Sequence, residues 1–385
     1  MKKYLLNGIY ITIVISIILM IKSASASRGY HFNSPNEKNK TIPYLEKALV
    51  DQPKTITDLY NYLGQSYQFH NKYSDAIVAY EKCLASMKNT GAEKKKRKEI
   101  VKNIATCYYA KDFNDKPMDV KIYNMGNMVN SKYRDYGSVL SKEQNKLYYN
   151  TLKPSESSAT KELFEINCFT EFSEKKENHS QTSKVTPMNT SNHEAILGFS
   201  ESGDKRFVYE KGDIYLSKTL KTGEWVMDKK LNSSINSIGD ETSLALSYDE
   251  KTLYFASNRS GGYGGLDIYK SELQANGLWG DAINLGPSVN TAEDEDAPFI
   301  SKDENSLYFS SKGHLTMGGY DVFRISKENG QWTLPINMGT PINSVNDDIY
   351  FNLNSEGIGY LSSDRKGGFG NLDIYKIVFA EVNIP

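Results

Sequence analysis

Hydrophobic and polar positions along this chain follow two different periods. In the first third, apolar and small residues recur three and four apart: Tyr60, Leu63, Gly64 and Tyr67, then Tyr73, Ala76, Tyr80 and Cys83. That stripe predicts a pair of helices packed on one face. Gly64 and Ala76 let the two approach, and Cys83 stands where the pattern usually has Ala. Leu45, Ala48 and Pro53 match the end of a preceding pair, Ala48 lying 35 residues before Cys83; Ile104, Ala105 and Tyr108 follow as one more helix. A helix–turn–helix returning about every 34 residues is the tetratricopeptide spacing. It predicts a short helical solenoid over 30–116, the kind of stack that presents a peptide-binding surface.

Beyond residue 119 the pattern turns to short strands between glycine-rich turns. Residues 253–257 (Leu-Tyr-Phe-Ala-Ser) lead to Gly261, Gly262 and the run 265–269 (Gly-Leu-Asp-Ile-Tyr). The same text returns at 307–311 with 318–323, at 359–363 with 367–375, and more weakly at 206–209 with 212–215. Asp213, Asp267, Asp321 and Asp373 are spaced 54, 54 and 52 apart, and Trp225, Trp279 and Trp332 are spaced 54 and 53 apart. A repeat of about fifty residues holding several short strands predicts a β-propeller. A fifth copy starts at Asp135, with a third strand at 162–166 and a long polar outer loop over 171–191. The chain therefore reads as α + β and multidomain, a helical solenoid followed by a five-bladed propeller over 119–385. The blades fall at 130–188, 189–236, 237–290, 291–343 and 344–385. Asn124, Gly126 and Asn130 copy Asn337, Gly339 and Asn343, although no blade precedes them. This predicts that 120–126 supplies the outer strand of the last blade and removes the open edge of the ring.

The extreme N-terminus has its own pattern: Lys2 and Lys3, an uncharged run over 4–21, then Ala24-Ser25-Ala26. These are the parts of an export signal spanning 1–26, the small residues favouring cleavage over an uncleaved anchor. No Cys lies near that site, so a lipoprotein is not expected. In an oxidising compartment Cys83 and Cys107 are candidates to pair, against the plainer reading of both as small buried hydrophobes.

Composition changes the picture little. Three Cys and five His leave no room for a disulfide framework or a large zinc cage. The formal net charge of −1 argues against nucleic acid as the main partner. That total averages a signal of +3, a basic 27–116 of +6 and an acidic 117–385 of −10. The run 93–99 (Glu-Lys-Lys-Lys-Arg-Lys-Glu) reads as a solvated helix face or a basic docking patch.

Candidate chemistry lies in the acids that open the inner strands: Glu194, Glu241, Asp294, Asp296, Asp347 and Asp348. Fivefold repetition would carry them toward one rim of the channel, either as a cation or basic-peptide site or as solvated turn residues. Asp213, Asp267, Asp321 and Asp373 read as structural, each accepting N–H bonds from its own glycine turn. No nucleophile–base set, nucleophile elbow or metal-ligand spacing is legible. No catalytic residue, cofactor or metal is therefore assigned, and the chain is expected not to be an enzyme.

Residues 311–321 (Ser-Lys-Gly-His-Leu-Thr-Met-Gly-Gly-Tyr-Asp), together with 130–137 (Asn-Ser-Lys-Tyr-Arg-Asp-Tyr-Gly), resemble a family of exported Bacteroidetes proteins. Its members join tetratricopeptide helices to a WD-like, TolB-type propeller. Many continue into an OmpA-like domain that binds peptidoglycan, and some serve secretion or gliding complexes. The resemblance implies a scaffold in the periplasm or at the outer membrane, with envelope proteins as partners. This sequence stops at the last blade without an OmpA-like domain, so peptidoglycan anchoring is not expected. The alternatives are a propeller that holds a small ligand, sugar or peptide at its channel mouth, or a hydrolase or lyase using the rim carboxylates.

Overall fold

The computed structural model describes residues 35–51, 56–88, 90–140, 146–155, 158–174, 177–184, 194–200, 203–220, 225–354 and 356–380. The export signal read at 1–26 lies outside them. Within the described residues no helix is long and apolar enough to cross a membrane. The chain divides into two compact units after Asp115.

Among its described residues the first unit carries four α-helices: α1 (Pro35–Asp51), α2 (Ile56–Phe69), α3 (Tyr73–Ser86) and α4 (Lys94–Asp115). Each packs on the next. Leu45, Ala48, Leu59, Leu63 and Ala79 form the core between α1, α2 and α3. Gly64 lies against the buried Tyr80 ring, which a Cβ there would meet at 2.5 Å. These helices stand where the repeat placed them; a solenoid is more than they show. Cys83 and Cys107 are buried free thiols, and the Cys83 thiol donates to the Thr57 carbonyl at 3.2 Å.

The second unit is a five-bladed β-propeller. The first blade is β2 (Arg134–Leu140), β3 (Lys146–Ser155), β4 (Ser158–Glu174) and β5 (Glu177–Lys184). The second is β6 (Glu194–Phe199), β7 (Lys205–Glu210), β8 (Asp213–Thr219) and β9 (Trp225–Lys230). The third is β10 (Glu241–Leu246), β11 (Thr252–Ser257), β12 (Asp267–Glu272) and β13 (Ile283–Asn284). The fourth is β14 (Glu295–Ile300), β15 (Ser306–Ser311) and β16 (Asp321–Glu328), with an outer edge split into β17 (Gln331–Trp332) and β18 (Ile336–Asn337). The fifth is β19 (Asp348–Leu353), β20 (Ile358–Ser363) and β21 (Asp373–Phe379), and its outer strand is β1 (Val120–Asn124). Strand β1 runs antiparallel to β21 with Val120 opposite Phe379 and Asn124 opposite Tyr375. The ring is closed by a strand from the start of the unit, as the Asn-x-Gly copy predicted.

One expectation fails. Residues 177–184, read as part of a loop, form β5, which pairs with β4 through 167–184. The polar content of that segment hid its strand character, because an outer edge needs no continuous apolar face.

Side-chain alternation explains the stacking. Neighbours on one strand point to opposite faces, so each middle strand serves two blade interfaces. Leu253 and Phe255 pack with Phe207 and Ile214 of the second blade. Tyr254 and Ala256 pack with Leu307, Phe309 and Ile325 of the fourth. Val120 joins Tyr308, Val322, Phe351 and Ile377 across the closure.

Candidate ligand cavity and the acids of the blade junctions

Four of the acids that open inner strands share a partner pattern. Asp135, Glu241, Glu295 and Asp348 are all fully buried. Each accepts bonds from the backbone N–H and hydroxyl of a Ser or Thr four residues earlier: Ser131, Ser237, Thr291 and Ser344. A second hydroxyl caps three of them from the neighbouring strand: Thr151, Ser257 and Ser311. Arg259 pairs with Glu241 at 3.3 Å, and Arg365 with Asp348. Their own N–H groups donate to the preceding blade, at Leu372, Gly212, Leu266 and Tyr320 carbonyls. These acids clamp blade to blade. Burial raises the Asp135 and Glu295 carboxyls despite their donors.

This corrects the placement of the rim acids. Glu241 and Asp348 are junction clamps, and Glu194 is buried at the same point of β6. Asp294 and Asp347 accept the Leu266 and Tyr320 N–H groups of the preceding blade; Asp294 also pairs with Lys312 at 3.1 Å. Asp296 accepts the Thr242 and Ser243 hydroxyls and the Ala297 N–H, which ties the third blade to the fourth. Its carboxyl is raised by burial. Glu295, the true counterpart of Glu241, was missed, although the Ser/Thr four residues before each clamp marks it.

The repeated Asp residues face their glycine turns. Asp267 accepts Tyr263 and Gly264 N–H at 2.6 and 3.0 Å, and Asp373 accepts Phe369 and Gly370 at 2.6 and 2.9 Å. Asp321 accepts Met317 N–H at 2.7 Å, and burial holds its carboxyl well above the usual range. Asp213 instead pairs with Lys230 at 2.6 Å. Asn284, Asn337 and Asn124 donate to Asp267, Asp321 and Asp373 in turn. A Cβ at Gly264, Gly318 or Gly370 would strike the backbone of Glu293, Val345 or Tyr133 on the next junction, so only glycine fits. Trp279 packs in the core beside Asn232, which it bonds through its backbone. Trp225 carries the Arg206 guanidinium at 3.5 Å, and Trp332 meets Tyr254 edge-on. His314 is held by the Val289 carbonyl at 2.8 Å between Phe309 and Phe323, and burial lowers its pKa.

The inner strands surround the central channel. Each pairs with another strand on one side only, and side chains of Asn150, Ser243, Asn352 and Ser362 bond part of the other edge. Every one carries a bulge. At three of them the backbone is left-handed, with φ of 63° at Gly137, 53° at Ala297 and 60° at Tyr350. Such a conformation is costly for Tyr and Ala, and each of the three lies within its strand's bulge. Here lies a cavity of about 450 Å³ walled by all five blades. At its inner end Tyr136, Ala297 and Tyr350 line it and pack in one cluster with Ile349 and Leu372. Exposed Tyr248 and Lys302, on the turns after β10 and β14, line the opposite end and form its mouth. The wall mixes hydroxyl and amide groups, such as Ser138, Thr242 and Asn352, with Leu244, Phe299 and Phe351. No described lining residue is Asp or Glu. A facing carboxylate pair, as glycoside hydrolysis needs, is not among them. Nor do the described residues group three or more His, Cys, Asp or Glu side chains for a metal ion. The sequence offered a ligand at the channel mouth only as an alternative and did not give this lining, because bulges leave no residue-type signature.

No protein-family model and no curated protein matches the chain. Solved structures do. A protein assigned as TolB from Agrobacterium tumefaciens is similar at 15% identity, with 63% of this chain and 76% of that chain covered and a TM-score of 0.37. The α-L-arabinofuranosidase PaAbf62A from Podospora anserina, in complex with cellotriose, is 11% identical over 66% and 92% of the two chains, at a TM-score of 0.41. RS223-β-xylosidase is 11% identical over 67% and 94%, at 0.42. At such identity the likeness shows the fold alone. The expectation that the chain is not an enzyme is corrected: glycoside hydrolases stand among the similar structures, and a missing catalytic motif does not exclude an activity.

Proposed function

We propose that the chain is an exported envelope protein whose propeller holds a small ligand in its central cavity, and whose tetratricopeptide-like helices dock an envelope protein. The observation that carries the ligand reading is the cavity itself. It is walled by the inner strands of all five blades and mixed in polarity, with the size and character of small-molecule sites. Two backbones strained into the left-handed region at its inner end support the same reading. The basic run at the start of α4 supports the docking role, as a complement to an acidic partner.

A thermal-stability screen of the full chain against mono- and disaccharides, short peptides and nucleosides tests the ligand reading. Gly198→Phe is the control. Gly198 lines the cavity, and a Cβ there meets only the Leu244 tip, at 3.3 Å. A compound that raises Tm for the native chain and not for the plugged variant is expected. Equal response in both, or no response from any compound, overturns it.

A further inference from the structure

We infer that the ligand of the central cavity is a small sugar acid, a polyhydroxylated ring whose carboxylate lies on Lys302. This rests on the reading of the cavity as a ligand site and names the ligand's class. Lys302 is the sole charged side chain among the described lining residues. It stands exposed at the mouth with its ammonium 4.9 Å from the centre of the Tyr248 ring. It makes no ion pair among the described residues, whereas Lys312, beyond the far end of β15 in the same blade, is paired with Asp294. An aromatic face steadies an ammonium without taking its hydrogen bonds. The three N–H donors of Lys302 are thus positioned for an anion arriving at the mouth.

The interior decides what the anion is attached to. Ser, Thr and Asn side chains line the wall, and the Asn352 Oδ1 is buried there without a hydrogen-bond partner among the described residues, which is costly for a desolvated polar atom. An acyl tail would leave it unpartnered. A sugar ring supplies hydroxyls that both donate and accept, while its C–H faces suit Phe299 and Phe351. A cationic body is disfavoured by a described wall with no carboxylate. The charge at the mouth also argues against the C-terminus of a protein, which would enter first and place its carboxylate deepest.

Calorimetric titration of the full chain with D-glucuronate, D-glucose and octanoate tests the inference. Glucuronate is expected to bind about tenfold more tightly than glucose, the scale of one charge-assisted hydrogen bond. Octanoate is expected not to bind. Lys302→Gln is expected to bring glucuronate down to the glucose affinity without changing glucose, and Lys302→Arg to keep the preference. Equal affinity for the two sugars, an unchanged ratio in Lys302→Gln, or octanoate binding overturns the inference and leaves the cavity reading standing. If neither sugar binds while the screen returns another compound that Gly198→Phe abolishes, the inference falls alone. If the screen also fails, both fall.

Discussion

At the scale of the residue, the chain repeats one arrangement with three different side chains. After the last residue of β11, β15 and β20 stand Asn258, Lys312 and Asp364, each beside the acid before a clamp. Asn258 accepts the Asp240 N–H at 2.7 Å, Lys312 pairs with Asp294 at 3.1 Å, and Asp364 accepts the Asp347 N–H at 2.9 Å. Only the third places two carboxyls together. Burial first, then the Asp347 charge, pushes Asp364 up to about 7. Its folded pKa lies above its unfolded value, so its stabilising contribution is complete below about pH 4 and is lost as pH rises through 7. Asp364→Asn, which reproduces the third blade, is expected to stabilise the propeller above pH 7. The gain is about 2 kcal/mol once solvent screening at this half-buried site is allowed for. The advantage shrinks below pH 5, and urea unfolding at pH 5 and 8.5 checks it. An equal effect at both values would contradict the assignment. Asn290 is a second case. It bonds both the N–H and C=O of Ile268 and the Asn284 amide. Asn290→Ala, which strands those groups in a buried junction, is expected to cost about 3 kcal/mol. The half-buried Asn284→Ala is expected to cost about 1 kcal/mol. Matching urea midpoints for the two would refute that ranking.

At the scale of the element, much was legible. The spacing of Asp213, Asp267, Asp321 and Asp373 gave the blades, and three of the four close the same glycine turn, Asp213 pairing with Lys230 instead. The Asn124–Asn130 copy gave the closing strand because Asn130 bonds Ile374 just as Asn290 bonds Ile268. The acids were misplaced because 294, 295 and 296 are consecutive, and consecutive strand residues face opposite ways. Composition cannot say which of three adjacent acids turns toward the channel. The outer strand β5 was hidden by its polar sequence. Two variants test the elements. Val120 is buried in the closing interface, so Val120→Asp places an unpaired charge there and is expected to cost about 3–5 kcal/mol. Val120→Ala is expected to cost about 2 kcal/mol. Chemical denaturation followed by tyrosine fluorescence checks both, and a wild-type midpoint for Val120→Asp would mean that β1 does not hold the ring. In the helical unit, Gly64→Ala drives a methyl into the Tyr80 ring. The expected result is weaker helical signal in far-UV circular dichroism at a temperature that the native chain withstands.

At the scale of the whole molecule, the propeller is built from the outside in. Glycine turns, Asn staples and buried acids fix the blades to one another, and a borrowed strand closes the circle. Those contacts use up the carboxylates that the sequence offered as a rim site. What remains at the axis among the described residues is a set of hydroxyls, amides and aromatic rings, with Lys302 at the mouth. The charge contrast between a basic 27–116 and an acidic 117–385 fits two units that meet different partners. The central claim is that the axis is where a ligand sits. A crystal structure of the full chain grown with the most stabilising compound of the screen tests it most directly. The account predicts that compound on the channel axis, between Tyr350 at the inner end and Lys302 at the mouth, with Gly198→Phe crystals lacking it. The compound found only on the outer strands or on the glycine-turn face, with the axis holding water alone, would contradict the account.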